Sequence, residues 1–433
     1  MNCIYNQAIK SSHIVSYQNG ILQSVRKAER FNGDPYSCDY GVVACDTTRL
    51  GGAKYGGRSS GGGFEIYDAF ISTIGETIER YCPSIFRIKD MRQCSYKEIR
   101  NCAIHPSEYA LFSKEQYSFF NRKNYNIQSF DEDSNIYWDK CIDLTSGKEV
   151  YCPCSHIYLP WNSDRRPIIY GVSTGLAAHS NFNKSVLTSL YEVLERDSFV
   201  LTWFQEIVPP KFFITDSVKK YLSLHFPTDY EWHFFDITYD LEIPTVFGIC
   251  VGKAEFGDFI AVGTATRFTK GEALKKVIQE IAQTIPYYRF MLSNDHSIPS
   301  DDFSELKDFE QHSMFYMKRK EYRHVFDRWL HVSPSVYVDI NEKSPLNTRQ
   351  ILKQILSKLK EKGYNVLLKD LTTVDAFESG FFCTRVIVPQ LLQMTGAYTF
   401  YPLGGKRLYE VPKLLGYISH EYDKLNKYPH PFP

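Results

Sequence analysis

The chain lacks any G-x-x-x-x-G-K-[S/T] string, which excludes the glycine loop and lysine that cradle phosphates in Walker-type nucleotide sites. It also lacks a charge surplus. Fifty Lys plus Arg stand against fifty Asp plus Glu in 433 residues, a formal net charge of zero. Nucleic acid is thereby excluded as the main partner, because neutralising phosphates takes a basic excess. No apolar run approaches the roughly 20 residues that a membrane-spanning helix needs. No secretory signal precedes the eleven cysteines, whose number is odd and whose spacing is scattered. Cys152 and Cys154 form a lone C-x-C with no second pair at zinc-ligand spacing. Free thiols in a reducing cytoplasm are therefore expected, rather than a disulfide framework or a structural zinc. No low-complexity linker divides the chain.

What is present is a hydrophobic share of 43% and a charged share of 23%, the balance of a globular protein large enough for one big α/β unit or two fused ones. Residues 1–65 read as short β-type runs with polar turns, ending in a glycine-rich stretch from Gly51-Gly52 to Gly61-Gly62-Gly63. The periodicity predicts amphipathic helices over 68–81, 184–204, 270–292 and 347–362. A second glycine-bearing turn, Gly171 to Gly175, leads into the second of them. Strands are predicted over 232–236, 245–251, 259–264, 366–368 and 383–388, while 82–162 reads as strands and loops. Alternation of strands and helices gives an α/β (α+β) class with mixed sheets and packed amphipathic helices around one composite core. The first helix carries Glu76, Glu79 and Arg80, and the second carries Glu192, Glu195 and Arg196, each 116 residues further on. That repeat suggests an internal duplication, with chance as the alternative.

The helix faces carry the chemistry. At 3.6 residues per turn, Ser72, Glu76 and Glu79 fall within about 60° of one another, opposite Phe70, Ile71, Ile74 and Ile78. Ser185, Glu192, Glu195 and Arg196 share a face opposite Leu187, Leu190 and Leu194. On the third helix Lys276, Glu280 and Gln283 lie opposite Leu274, Ile278, Ile281 and Ile285. One such helix alone describes any surface helix. Three of them nearly free of lysine describe glutamates that repel unless cations sit between them. Carboxylates interleaved with hydroxyl and amide oxygens suit Mg2+ bound together with substrate phosphates, a way to hold ATP without a phosphate loop.

These strings resemble the nucleotide-binding motifs of YcaO-domain proteins: S-x-x-x-E-x-x-E-R at Ser72 to Arg80, Ser185 with Glu192, Glu195, Arg196 and Asp197, and ALKKVIQEIAQ with Glu280 and Gln283. DLTTVD at Asp370 to Asp375, the stretch from Gly380 to Pro389 with Arg385, and RLYEVP at Arg407 to Pro412 are similar to later YcaO segments. The resemblance covers residues 51–433, leaving 1–50 as an N-terminal segment. It implies ATP and Mg2+ as cofactors, with Glu76, Glu79, Glu192, Glu195 and Glu280 as metal ligands. Ser72, Arg80, Ser185, Arg196, Gln283 and Arg58 are implied to contact ATP, and Arg385 to act in catalysis. Two departures stand out. Gly62 occupies the place of a frequent lysine, leaving Lys54 or Arg58 as substitutes, and Lys276 stands where the third motif usually opens with Gln.

The last five residues, Pro429-His430-Pro431-Phe432-Pro433, alternate proline with another residue and make a stiff extended tail. A tail of this kind reads as a surface proline tail, as a ligand for an aromatic groove on another protein, or as an end built for a fixed place of its own. The P-x-P-x-P pattern resembles the azoline-forming branch, the cyclodehydratases of thiazole/oxazole-modified peptides, which implies a catalytic carboxylate on Pro433. The reaction implied is attack of a Cys, Ser or Thr side chain of a ribosomal precursor peptide on the preceding carbonyl, phosphorylation of the oxyanion and loss of phosphate. Because about 50 residues precede the first motif, a separate leader-peptide-binding protein is the expected partner. The resemblance extends to a flavin dehydrogenase as a further partner and leaves a homodimer open. Thioamide or amidine formation, or an accessory role in modifying another protein, are the alternatives.

Overall fold

The computed structural model describes residues 2–55 and 58–433, with the side chains of residues 2–5 and of Arg58 outside that description. Three sheets organise the described residues. The first joins β1 (Leu22–Lys27), β2 (Cys38–Ala44) and β3 (Arg58–Gly63) as an antiparallel ribbon. The second is built from β4 (Arg92–Cys94), β5 (Ile136–Asp143), β6 (Lys148–Pro153) and β7 (Leu176–His179), together with β13 (Leu367–Asp370) and β14 (Phe382–Ile387). Its order is β4-β5-β13-β14-β7, with β6 on β5. The third holds β8 (Lys211–Phe212), β9 (Glu231–Asp236), β10 (Thr245–Ala254), β11 (Gly257–Thr266) and β12 (Pro334–Val336) in the order β11-β10-β9-β8-β12.

The principal helices are α1 (Asn2–Ser11), α2 (Ile66–Tyr81), α3 (Phe182–Phe204), α4 (Lys270–Asn294), α5 (Phe309–Lys318), α6 (Thr348–Glu361) and α7 (Arg407–Leu414). Starts are set by side chains that accept from orphan N–H groups: Asn181 for α3, Thr269 for α4, and an Asn347–Gln350 capping box for α6. The predicted apolar stripes are buried: Ile74 and Ile78 on α2, Leu190 and Leu194 on α3, and Leu274, Ile278, Ile281 and Ile285 on α4.

Each of those three helices spans two sheets. Helix α2 packs on β2 and β3 of the first and on β7 and β14 of the second; α3 packs on β7 and β14 and on β10 and β11; α4 packs on β10 and β11 and back on β3. The apolar stripes grip the sheets, so the polar faces are turned toward one another. Among the described residues no helix is long and apolar enough to cross a membrane. The ten cysteines whose side chains are described are free.

Four expectations are corrected. Residues 2–11 form α1 rather than a β-type run. The segment 82–162 holds a helix, Lys114–Arg122, capped by Ser113 and Gln116. Strand β7 stands between the Gly171–Gly175 turn and α3, and is paired with β14 along Leu176↔Arg385 to His179↔Phe382. The glycine-rich stretch before α2 is strand β3, not a turn. A Cβ on Gly61 would lie 2.4 Å from the Thr73 backbone nitrogen, so the glycines let the strand lie directly on α2. Two contacts lock that approach, Thr73 to the Gly61 carbonyl at 3.1 Å and Ser59 to Thr77 at 2.7 Å.

Candidate active site

On α2, Arg80 donates to the Glu76 carboxylate at 2.8 and 3.1 Å and stands 3.7 Å from Glu79. Burial pushes Glu79 well above the usual carboxylate range, as do the Glu76 and Glu192 carboxylates, against the pull of Arg80 and Arg385. Burial pulls the Arg80 guanidinium down, but Glu76, Glu79 and Glu192 together outweigh it and raise it. Four groups from two motifs 116 residues apart thus act on one another.

On α3, Glu192 accepts from the Gly175 N–H at 2.9 Å and lies 3.7 Å from Arg196. Gly175 has φ +86°, and a Cβ there would sit 2.1 Å from the Val386 carbonyl oxygen, so the turn that aims this N–H requires glycine. Burial raises Glu192, with Arg196 and Arg80 pulling the other way. One turn on, Glu195 is 8% exposed and accepts from Thr264 at 2.9 Å and from the Thr266 N–H at 3.3 Å, both on β11. Burial and then the Glu280 carboxylate push its carboxyl up to about 8. Glu280 on α4 is therefore beside Glu195, and it pairs with Lys276 at 3.5 Å.

Arg385 on β14 is 1% exposed, and its Nε and Nη1 have no hydrogen-bond partner. Burial lowers it to about 10, while Glu192, Cys152 and Glu79 hold it up. A buried guanidinium with two idle donors beside two carboxylates is a place made for an anion. Behind it lies His156, held neutral at about 3 by burial and by Arg385, with the Gln393 amide 2.6 Å away.

At the α4 end of the cluster, β3 places Gly62 against Gln283 and Asp39. A Cβ on Gly62 would meet the Asp39 Oδ1 at 2.2 Å and the Gln283 Cγ at 2.8 Å. The residue that replaces the frequent lysine thus has no room for a side chain. Asp39, raised to about 6 by burial, fills that space and leaves Oδ1 unpartnered. Arg58 lies outside the described residues as a side chain, so its part in ATP contact is untouched. Ser72 is exposed on the α2 face. Ser185 is fully buried and spends its hydroxyl on the Ala177 carbonyl and Thr384, at 2.8 and 2.7 Å, facing β7 and β14 rather than the carboxylates.

The tail is no surface strand. Residues 429–432 are buried, and Pro433 is exposed. Tyr316 donates to the Pro429 carbonyl at 2.6 Å, and the Phe432 ring packs edge-on against Phe199 at 4.5 Å. The Arg196 guanidinium lies 5.6 Å from the Phe432 ring centre and 5.9 Å from that of Phe309. The tail therefore reaches the second-motif arginine. Asp197, next to it in sequence, faces away and forms a buried clamp with Arg407, which bridges to Asp240.

Among the described residues, no three His, Cys, Asp or Glu side chains stand close enough together to hold a metal ion by themselves. The carboxylates are interleaved instead with Arg80, Arg196 and Lys276. Such a donor set fits Mg2+ that arrives with phosphate oxygens and keeps several waters. The residues missed in the sequence are the supports: Thr264 and Thr266, the Gly175 N–H, Asp39, and His156 with Gln393. They come from strands, turns and the one-turn helix Cys154–Ile157, with no periodic signal.

The profile of the YcaO cyclodehydratases, described as ATP- and Mg2+-binding, matches residues 60–392. The chain belongs to the YcaO family. No curated protein matches it. Among solved structures it is similar to a heterocyclase in complex with substrate and cofactor, at 20% identity and a TM-score of 0.77, covering 99% of this chain and 57% of that one. The YcaO protein of Methanopyrus kandleri bound with AMPPCP and Mg2+ is 15% identical with a TM-score of 0.63, covering 90% and 91%. The E. coli microcin synthetase McbBCD complex is 18% identical with a TM-score of 0.62, covering 94% and 96%. The chain spans little more than half of the first heterocyclase and 51% of the heterocyclase TruD. At these identities the likeness establishes the YcaO fold.

Proposed function

We propose that this YcaO protein is an ATP-dependent cyclodehydratase that converts Cys, Ser or Thr of a ribosomal precursor peptide to thiazoline or oxazoline. The observation that carries the reading is the run of carboxylates from α2 through α3 to α4, Glu76 and Glu79 acting on Glu192, and Glu195 on Glu280, with the unpartnered donors of Arg385 beside Glu192 and Glu79. ATP supplies the phosphoryl group that makes an amide oxygen a leaving group, and Mg2+ offsets the phosphate charge. Glu76, Glu79, Glu192, Glu195 and Glu280 hold Mg2+. Arg80 and Arg196 keep the carboxylates apart and aim them, and Gln283 and Ser72 orient the nucleotide. Arg385 donates to the oxyanion or to the phosphate that replaces it. The Pro433 carboxylate, in the residue that follows the Phe432 seated under Arg196, moves the proton of the attacking side chain.

Catalysis of this kind is positioning and charge neutralisation. Peptide capture is assigned to a separate leader-binding protein, a reading favoured by similarity to the McbBCD complex, which also exists with pro-MccB17 bound. A flavin dehydrogenase that oxidises the azolines is compatible with it. The test is steady-state ATP hydrolysis with partner and precursor present. Glu76→Gln and Glu192→Gln should raise the KM for ATP or abolish turnover while the fold persists, and unchanged ATP kinetics in both would sink the assignment.

A further inference from the structure

The imidazole in the middle of the tail, His430, is 1% exposed and enclosed on every side. Its ring stacks on that of His312 from α5, with centroids 4.0 Å apart and planes at 15°. Phe309 lies 5.2 Å away and Tyr401 5.8 Å away. Its two nitrogens are committed differently. Nδ1 lies 3.2 Å from the Phe432 backbone nitrogen, which can only donate, so Nδ1 accepts. Nε2 lies 3.1 Å from the Thr395 carbonyl oxygen, which can only accept, so Nε2 carries the proton. One neutral tautomer satisfies both, and a protonated ring has no lone pair left for the Phe432 N–H.

The groups facing this ring add no counter-charge. His312 of α5, Arg196 of α3 and Tyr401 ahead of α7 face it; Tyr316 bonds the neighbouring Pro429 carbonyl and Tyr398 packs on His312. Burial and His312 hold His430 well below its ordinary pKa, and Arg196 acts in the same direction. The stacked His312, fully buried, is likewise held down to about 3 by burial. Two stacked imidazoles beside a guanidinium cannot both stay in place once they gain charge.

We propose that His430, stacked on His312, is a positioning residue that clamps Phe432 beneath Arg196 and releases it when the imidazoles are protonated. The clamp matters to the site because Phe432 and Phe309 flank the same guanidinium that stands 3.7 Å from Glu192. Its part in catalysis rests on the nucleotide reading above; the clamp itself does not. The linkage has a definite sign. A histidine held below its ordinary pKa stabilises the seated tail above pH 6.5, and the seating is lost as pH falls. Between pH 7.5 and 5.5 the released state gains about tenfold for each histidine set free, and about a hundredfold for the pair.

Hydrogen exchange on the full-length protein reads this directly, since the opening constant of residues 428–432 follows after correction for the intrinsic rate. It should rise at least tenfold from pH 7.5 to 5.5, while the β10–β11 hairpin stays protected and so rules out global unfolding. His430→Asn keeps an acceptor two residues before the Phe432 N–H but cannot titrate, so its rise should be about tenfold smaller than that of the wild type. A wild-type opening constant that changes less than about threefold, or an equal rise in His430→Asn, overturns the clamp. The wild-type result decides alone if the variant does not fold. ATP kinetics separate the two readings: a KM for ATP that tracks the opening constant supports both. A KM that stays flat while the tail opens removes Arg196 from nucleotide binding and leaves the clamp standing.

Discussion

Replacing Glu195 with Gln should stabilise the ligand-free protein at neutral pH while weakening it as an ATP enzyme. The carboxyl is 8% exposed, and burial with the Glu280 charge moves it from 4.5 to about 8. Between those values the unfolded chain gives up the proton that the fold retains, so stability falls as pH rises from 4.5 toward 8. At pH 7, with 1.36 kcal/mol per pH unit, the penalty is about 3 kcal/mol. Glutamine has nearly the same shape, can still accept from Thr264 and does not titrate. Its amide nitrogen cannot accept from the Thr266 N–H, a loss of about 1 kcal/mol. The variant should therefore gain about 2 kcal/mol at pH 7 and about nothing at pH 5. Calorimetric Tm values at pH 5, 6, 7 and 8, without Mg2+ or nucleotide, give both numbers. Added Mg2+–ATP should then raise the wild-type Tm more than that of the variant. Parallel Tm curves for the two proteins across this pH range would refute the reasoning, because they would mean that Glu195 keeps an ordinary carboxylate in the fold.

Three other outcomes are expected. Arg407→Met leaves Asp197 and Asp240 buried without their cation and should lower stability by about 3–5 kcal/mol in denaturant melts, while the nearby ATP site keeps its residues. Gly62→Ala drives a methyl into Asp39 and Gln283, and should lower stability by about 1–3 kcal/mol and raise the KM for ATP in steady-state assays. One glycine added after Pro433 should cripple azoline formation, followed by mass spectrometry, with ATP affinity nearly intact; equal cyclisation rates would return the tail to a purely structural role.

The carboxylates were legible because they recur at helical spacing opposite apolar stripes. Their meeting was legible only as a resemblance, since no spacing in the chain says that Glu79 and Glu192 act on each other. The supports were not legible at all. Thr264 and Thr266 occupy a strand whose alternation is that of any strand, and Gly175 is one of eight glycines with positive φ among the described residues. Glycines 61–63 looked like a turn because glycine usually marks one. Here they serve close approach, which becomes visible only when α2, Asp39 and Gln283 are in place.

By itself, the sequence determined where the helices run, which side of each is apolar and which residue types cover the other side. Those are local properties, set by the 3.6-residue period and by caps within a few residues of each helix start. The tertiary structure decided that the glutamates of those polar sides are brought against one another and partly out of water. That follows from each helix gripping two of three sheets, a contact pattern between residues hundreds of positions apart. The same enclosure decided the chemistry of the side chains. It raises Glu195 and Glu79, lowers Arg385, and fixes the tautomer of His430, because removal of water acts on a charge only where the fold has closed around it.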